Sequence, residues 1–289
     1  MLDRTIGIPS RIDPGSSPFS TSPLSPGIGI EVHGIDCSAD IPDDTFEVIR
    51  EAWQDNCVAL FRHQNLDEWQ ESAFAARFGQ LGKVMHNHNG ASHVPGVMYI
   101  SNIRENDELI GSLPDGEMYF HADQCYMPNP AIATMLYAME IPSTGGNTLF
   151  SNCFKAYETL PEDVKQRLEG LTAMNVYDYQ ANPTKRGSII RDGIPHHAHP
   201  IVRTHPGNGR KSLYVNRLMT DHIVGMDAGE SKELLEFLFD HSEQDQFVYE
   251  HVWSPGDLLL WDNRSCNHAR TDFSAQERRL MRRVAIVSG

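Results

Sequence analysis

Cysteine is scarce, long apolar runs are absent and basic charge is in short supply in this 289-residue chain. The five cysteines, Cys37, Cys57, Cys125, Cys153 and Cys266, are odd in number and scattered, with no CxxC pair. That pattern excludes a disulfide framework and a zinc knuckle. No stretch reaches the ~18 consecutive apolar residues of a spanning helix, and the start, Met1 to Gly7, lacks the apolar region of a secretory signal. The expectation is a soluble, cytoplasmic protein in a reducing compartment. Lys plus Arg number 24 against 39 Asp plus Glu, a net charge of −15. Such a surface repels phosphate backbones and anionic headgroups, which argues against nucleic acid and membrane partners. An anionic substrate would need a local basic pocket, so any buried arginine deserves pursuit.

What is present is ordinary globular composition, 40% apolar and 22% charged, with length enough for a sizeable core. Residues 1–27 are expected to form an N-terminal arm, because Pro9 to Gly27 is mostly Pro, Ser, Gly and Thr and cannot bury enough apolar surface to offset its ordering entropy. A single domain is expected over 28–289. Apolar residues at Phe46, Ile49 and Trp53 predict a helix over 43–56, and a second helix is predicted over 66–78. After residue 95 short strands multiply: 97–100, 131–139, 148–151, 201–204, 212–215, 247–252, 257–261 and 281–287, with helices near 154–170 and 229–241. Many short strands with few helices predict a mostly β fold with flanking helices, a jelly roll or sandwich. Residues 179–197 lack periodicity and read as a disordered stretch or a lid-like insertion. A homo-oligomer is compatible with all of this.

His121 and Asp123 are two apart, so on extended backbone an imidazole and a carboxylate face one point. His268 follows the apolar run Leu258–Trp261, just beyond the predicted end of a buried strand and hence at the mouth of a barrel. Two histidines and one carboxylate would make a facial triad that leaves metal positions open for a cosubstrate and oxygen. A surface polar pair at 121 and 123 and a turn histidine at 268 are the plain alternatives. The last strand, Arg278-Arg279-Leu280-Met281-Arg282-Arg283-Val284, carries four arginines. Period 2 sets Arg279, Met281 and Arg283 on one face and Arg278, Leu280, Arg282 and Val284 on the other. One face must bury arginine or display it in a cavity, where a planar guanidinium suits a carboxylate.

Several ordered motifs together resemble the taurine dioxygenase / 2,4-dichlorophenoxyacetate dioxygenase family over about Gly29 to Val287. They are His121-Ala122-Asp123, Pro142 to Thr148 with Gly145-Gly146, His199-Pro200 to His205-Pro206, Gly256-Asp257 with Trp261 to Arg264, His268, and Arg278-Arg279 with Met281 and Arg283. The resemblance implies a double-stranded β-helix and an iron(II)- and 2-oxoglutarate-dependent dioxygenase that consumes O2. It implies His121, Asp123 and His268 as catalytic iron ligands, Thr148 and Arg279 on the distal carboxylate of 2-oxoglutarate, and Arg283 on an anionic group of a small substrate. His86 and His88 fall where taurine-type enzymes have a histidine at the substrate mouth, and Tyr119 and Tyr126 flank the metal motif as substrate walls or core aromatics. His199 and His205 are expected to be structural.

The implied reaction oxidises an unactivated C–H bond, by hydroxylation, releasing succinate and CO2. Retention of Asp123 disfavours halogenation. Desaturation, cyclisation and carbon–heteroatom cleavage would use the same ligands. A metal-dependent hydrolase or isomerase on a similar barrel is a second reading, and it has no use for Arg279 and Thr148; a catalytically silent jelly-roll binding protein is a third, for which an intact triad would be an odd relic.

Overall fold

The computed structural model describes residues 19–84, 92–112, 116–177 and 193–289. Along the chain come β1 (Ser20–Pro23), β2 (Ile30–His33), α1 (Asp43–Asn56), β3 (Val58–Phe61), α2 (Glu68–Ala76), β4 (Gln80–Leu81), β5 (Val97–Ser101), and a hairpin of β6 (Arg104–Glu105) and β7 (Glu108–Leu109). The middle of the chain forms β8 (Met118–His121), β9 (Ala131–Glu140), β10 (Thr148–Asn152), α3 (Cys153–Glu158), α4 (Glu162–Leu168) and β11 (Thr172–Val176). Next are β12 (His196–Pro200), β13 (Val202–Thr204), β14 (Lys211–Leu213), β15 (Thr220–Ile223) and α5 (Ala228–Ser242). The chain ends with β16 (Val248–His251), β17 (Leu258–Asp262), β18 (Cys266–Arg270) and β19 (Leu280–Val287).

Two sheets dominate. The larger runs β1-β2-β3-β17-β9-β19-β4, with β5 also on β19, and the smaller runs β16-β10-β18-β8. From β8 to β10 and from β16 to β19 the chain shuttles between them, pairing antiparallel throughout. That is the double-stranded β-helix implied by the family resemblance, and it agrees with the strand-rich sequence.

The uninterrupted apolar run of β17 follows from burial on both faces. Leu258 and Leu260 pack outward with Phe46, Trp53, Phe61 and Phe74 under helices α1 and α2, while Leu259 and Trp261 point inward with Phe150 and Met281. Helix α1 presents Phe46, Ile49 and Trp53 as one stripe, and α2 starts at a capping box of Asp67 and Gln70. A further apolar cluster joins α3 and α5 to β11 and β14. Among the described residues no helix is long and apolar enough to cross a membrane.

Three local expectations can be set beside the described residues. Ser20–Pro23, inside the stretch read as an arm, pairs with β2 at the edge of the large sheet, and Asn152 Nδ2 donates to the Gly27 carbonyl. Residues 179–192 of the segment read as a lid, 179–197, lie outside the described residues, but His196 and His197 belong to β12, paired with Val176 and Asn175. His268 is not beyond a strand end: it is the central residue of β18, which reverses from β17 through a short turn and is paired on both sides. The strand reads Cys-Asn-His-Ala-Arg, short and without large apolar residues, so no strong apolar alternation marks it.

Candidate metal centre

The small sheet builds the site from cross-strand rows. His268 on β18 stands opposite Phe150 on β10 and His121 on β8. Arg270, two residues on and therefore on the same face, stands opposite Thr148 and Met118. Asp123 follows the end of β8 and turns its carboxylate to the same point. The ligand atoms of His121, Asp123 and His268 lie within 4.8 Å of one another, all three residues buried, and the two imidazole centroids are 4.0 Å apart.

Each side chain is held by its neighbours. His121 Nδ1 lies 2.9 Å from the backbone carbonyl of Tyr119, a bond that fixes this nitrogen as the protonated one and leaves Nε2 with its lone pair. Asp123 Oδ2 accepts from Thr134 Oγ1 and from Arg283 Nη2, the latter at 2.9 Å. Asn263 ties this shell together: its Nδ2 donates to Thr134 Oγ1 at 3.0 Å, and its Oδ1 accepts from the Asp123 backbone N–H and from Trp261 Nε1.

The electrostatics favour a cation. Burial, reinforced for His268 by the charge on His121, pushes both imidazoles down, so both are neutral donors at neutral pH. Burial would raise Asp123, but Arg283 foremost, then the two histidines and Thr134, hold its carboxyl well below the usual range. His268 Nδ1 is buried without a hydrogen-bond partner among the described residues, and its Nε2 lies 4.0 Å from Asp123 Oδ2. Two neutral imidazoles and an ionised carboxylate fit a divalent ion of the imidazole- and carboxylate-binding kind.

One row along β18, ~7 Å away, lies an anion cradle. Arg279 is 2% exposed, and its Nε has no hydrogen-bond partner among the described residues. Burial, then the charge of Arg270, brings it down to about 9. Thr148 Oγ1 accepts from Trp253 Nε1 at 3.0 Å, which leaves the hydroxyl hydrogen to point elsewhere. Gly146, at φ +66°, lies against Arg279, and a Cβ there would stand 3.5 Å from Arg279 Nε.

The arginine strand resolves into different partners. Both faces bury arginine, not one. Arg283 turns inward to Asp123, whereas Arg282 turns outward, 4% exposed, with its Nε 2.8 Å from Glu71 Oε2. Arg278 is exposed and paired with Glu140. A protein carboxylate is thus already beside Arg283, the residue that the resemblance assigns to a substrate anion. Tyr119 contributes its carbonyl, and its side chain is 39% exposed. Tyr126 packs edge-on against Tyr177, with ring centroids 4.9 Å apart. His86 and His88 lie outside the described residues. His199 and His205 have protein partners, the Met127 carbonyl and Asp262, each at 2.9 Å. Sequence reading passed over Thr134, Asn263, Trp253 and Arg270. Only Arg270 had a signal, its i+2 spacing from His268.

The sequence profile of the taurine catabolism dioxygenase TauD, TfdA family matches residues 20–285. The chain belongs to that family. The (S)-phenoxypropionate/alpha-ketoglutarate-dioxygenase of Sphingobium herbicidovorans is 34% identical over 285 residues, covering 92% of this chain and 94% of the relative. A taurine dioxygenase structure from Burkholderia xenovorans superposes with a TM-score of 0.80 at 29% identity, over 94% of this chain and 90% of that one. The structure of AAD-2 in complex with Mn(II) and N-oxalylglycine superposes with a TM-score of 0.78 at 27% identity, over 94% and 98% of the two chains. Membership makes this chain an oxidoreductase, an α-ketoglutarate-dependent dioxygenase.

Proposed function

We propose that this dioxygenase holds iron(II) on His121 Nε2, Asp123 and His268, takes the distal carboxylate of 2-oxoglutarate on Arg279 and Thr148, and hydroxylates a C–H bond of a small organic anion. The observation that carries the reading is a buried three-ligand cluster on the small sheet, with Thr148 one row from His268, together with a buried arginine, Arg279, just before β19 of the large sheet. A hydrolase or isomerase would need the first and not the second.

Bound iron supplies the site for O2 activation coupled to decarboxylation of 2-oxoglutarate to succinate and CO2. The chain's own residues do the rest. Tyr119 and Asn263 orient the ligands, Thr134 and Arg283 keep Asp123 ionised, and the inward faces of Phe150 and Trp261 keep water from the ligand cluster. Arg283, a fifth exposed at the cluster, is where a substrate anion would be drawn toward the metal. The (S)-phenoxypropionate relative favours a carboxylate-bearing substrate, and Tyr126 offers an aromatic wall. Five buried, unpaired cysteines suit a reducing cytoplasm.

The reading is tested by adding iron(II) and 2-oxoglutarate under anaerobic conditions. A weak visible charge-transfer band is expected, followed on admission of O2 by succinate formation in the presence of aryloxy acids, sulfonates or acylated amino acids. Absence of both the band and succinate would refute it.

A further inference from the structure

The turn that leaves Asp123 is gripped at three consecutive residues by the three-stranded sheet of β12, β11 and β15 and the segments beside it. Cys125 Sγ accepts from Asn216 Nδ2 and lies 3.5 Å from Met219 Sδ. The Tyr126 ring packs edge-on against Tyr177, and the Met127 carbonyl lies 2.9 Å from His199 Nε2. The turn is tight. The Cys125 N–H donates to the Ala122 carbonyl and the Met127 N–H to that of Gln124, whose φ of +57° is a left-handed conformation that side chains rarely take. From the barrel side the same turn is pinned at the Asp123 backbone N–H by Asn263. Sulfur contacts and ring packing adapt to small shifts, whereas a carbonyl hydrogen bond to a fixed imidazole holds one distance and one direction.

The imidazole of His199 is fixed in turn. It is 6% exposed, stands on β12 opposite Ala173, and sets its ring edge-on to Tyr214 with centroids 5.5 Å apart and tilted on His197 at 4.8 Å. The Arg203 guanidinium covers the Tyr214 ring at 4.4 Å. Burial foremost, then the charges of Arg203 and His197, push His199 below its ordinary range against the pull of the bond to Met127. At neutral pH the ring is therefore neutral, and with a carbonyl before Nε2 its single hydrogen lies there. We propose that His199 is a positioning residue for the metal-binding carboxylate: by holding the Met127 carbonyl it fixes the turn 123–127, and with it the direction from which Asp123 meets the metal. This assignment rests on the proposed function and extends it to a residue outside the ligand cluster, in the motif from His199-Pro200 to His205-Pro206.

The experiment separates the donor from the ring. His199→Phe keeps the ring packing and removes the N–H, whereas His199→Gln keeps an N–H close to where Nε2 stands and removes the ring. Mn(II) affinity of each full-length protein is read from the electron paramagnetic resonance signal of free Mn(II), beside urea denaturation without metal. His199→Phe is expected to weaken Mn(II) binding by about tenfold, the low end of what support of a metal ligand is worth, and His199→Gln to stay within about threefold of wild type. With Mn(II) saturating, 2-oxoglutarate affinity should be unchanged in both variants, because Thr148 and Arg279 stand outside this turn. His199→Ala carries the test if the phenylalanine variant does not fold. Unchanged Mn(II) affinity in a folded variant without the donor overturns the assignment, whatever its urea midpoint, and so does equal weakening in His199→Phe and His199→Gln. Failure of both donorless variants to fold makes His199 a purely structural residue and overturns it likewise. Wild-type protein that binds no Mn(II) overturns the proposed function, and this inference with it.

Discussion

Arg283 Nη2 lies 2.9 Å from Asp123 Oδ2, so the last strand of the large sheet reaches across the barrel to brace the one carboxylate of the ligand cluster. Residues that support a metal ligand in this way are typically worth 10- to 100-fold in metal affinity. Arg283→Ala is expected to weaken Mn(II) binding by about that factor, and Arg283→Lys by less. On aryloxyalkanoic acids the alanine variant should also lose the preference for the free acid over its amide. Equal losses on acid and amide, with metal affinity unchanged, would leave Arg283 no role at the centre.

His121→Ala, Asp123→Ala and His268→Ala should each abolish metal-dependent succinate formation while leaving the cooperative unfolding transition in place. The ligand cluster borders a cavity, and the apolar clusters that carry stability lie on either side of it. Metal content after gel filtration, measured beside thermal melts, checks this. Wild-type turnover in any one variant would remove that residue from the cluster.

Arg279→Ala should raise the 2-oxoglutarate requirement by the equivalent of about 2–5 kcal/mol, because a buried carboxylate would lose its charged partner. Thr148→Val should cost about 1.5–3 kcal/mol, a hydrogen bond to a charged group. Titration of 2-oxoglutarate against succinate formation compares the two. Normal cosubstrate dependence in Arg279→Ala would mean that a different arginine serves the distal carboxylate.

Glu71 and Arg282 join α2 to β19 through a buried contact of 2.8 Å. Burial pushes the Glu71 carboxyl up to about 8, against the pull of Arg282. In the unfolded chain a glutamate titrates near ~4.3. Between about pH 4.3 and 8, therefore, the folded protein retains a proton that the unfolded chain has released, and stability falls as pH rises through that window. Glu71→Gln should flatten the decline in urea denaturation between pH 5 and pH 8. Identical pH slopes in wild type and Glu71→Gln would contradict this.

By itself the sequence determined what local periodicity and order along the chain encode. The stripe of Phe46, Ile49 and Trp53 specified α1, apolar runs and turn residues specified β5, β9, β10, β16, β17 and β19, and the ordered motifs specified the family. The spacing of His121 and Asp123 carried their shared direction, because side-chain direction along two residues of extended backbone is a local property.

Tertiary structure alone decided which distant groups meet. His268 sits in a strand without strong apolar alternation, recognisable only through its pairing with β8 and β10. Four arginines in six residues look alike in sequence. Yet Arg278 ends at a surface glutamate, Arg279 in the anion cradle, Arg282 against Glu71 beneath α2 and Arg283 on Asp123. The charge each one meets is set by the sheet face it occupies and by what the opposite layer brings there. Those partners lie tens to hundreds of residues away in the chain, and no local pattern records them.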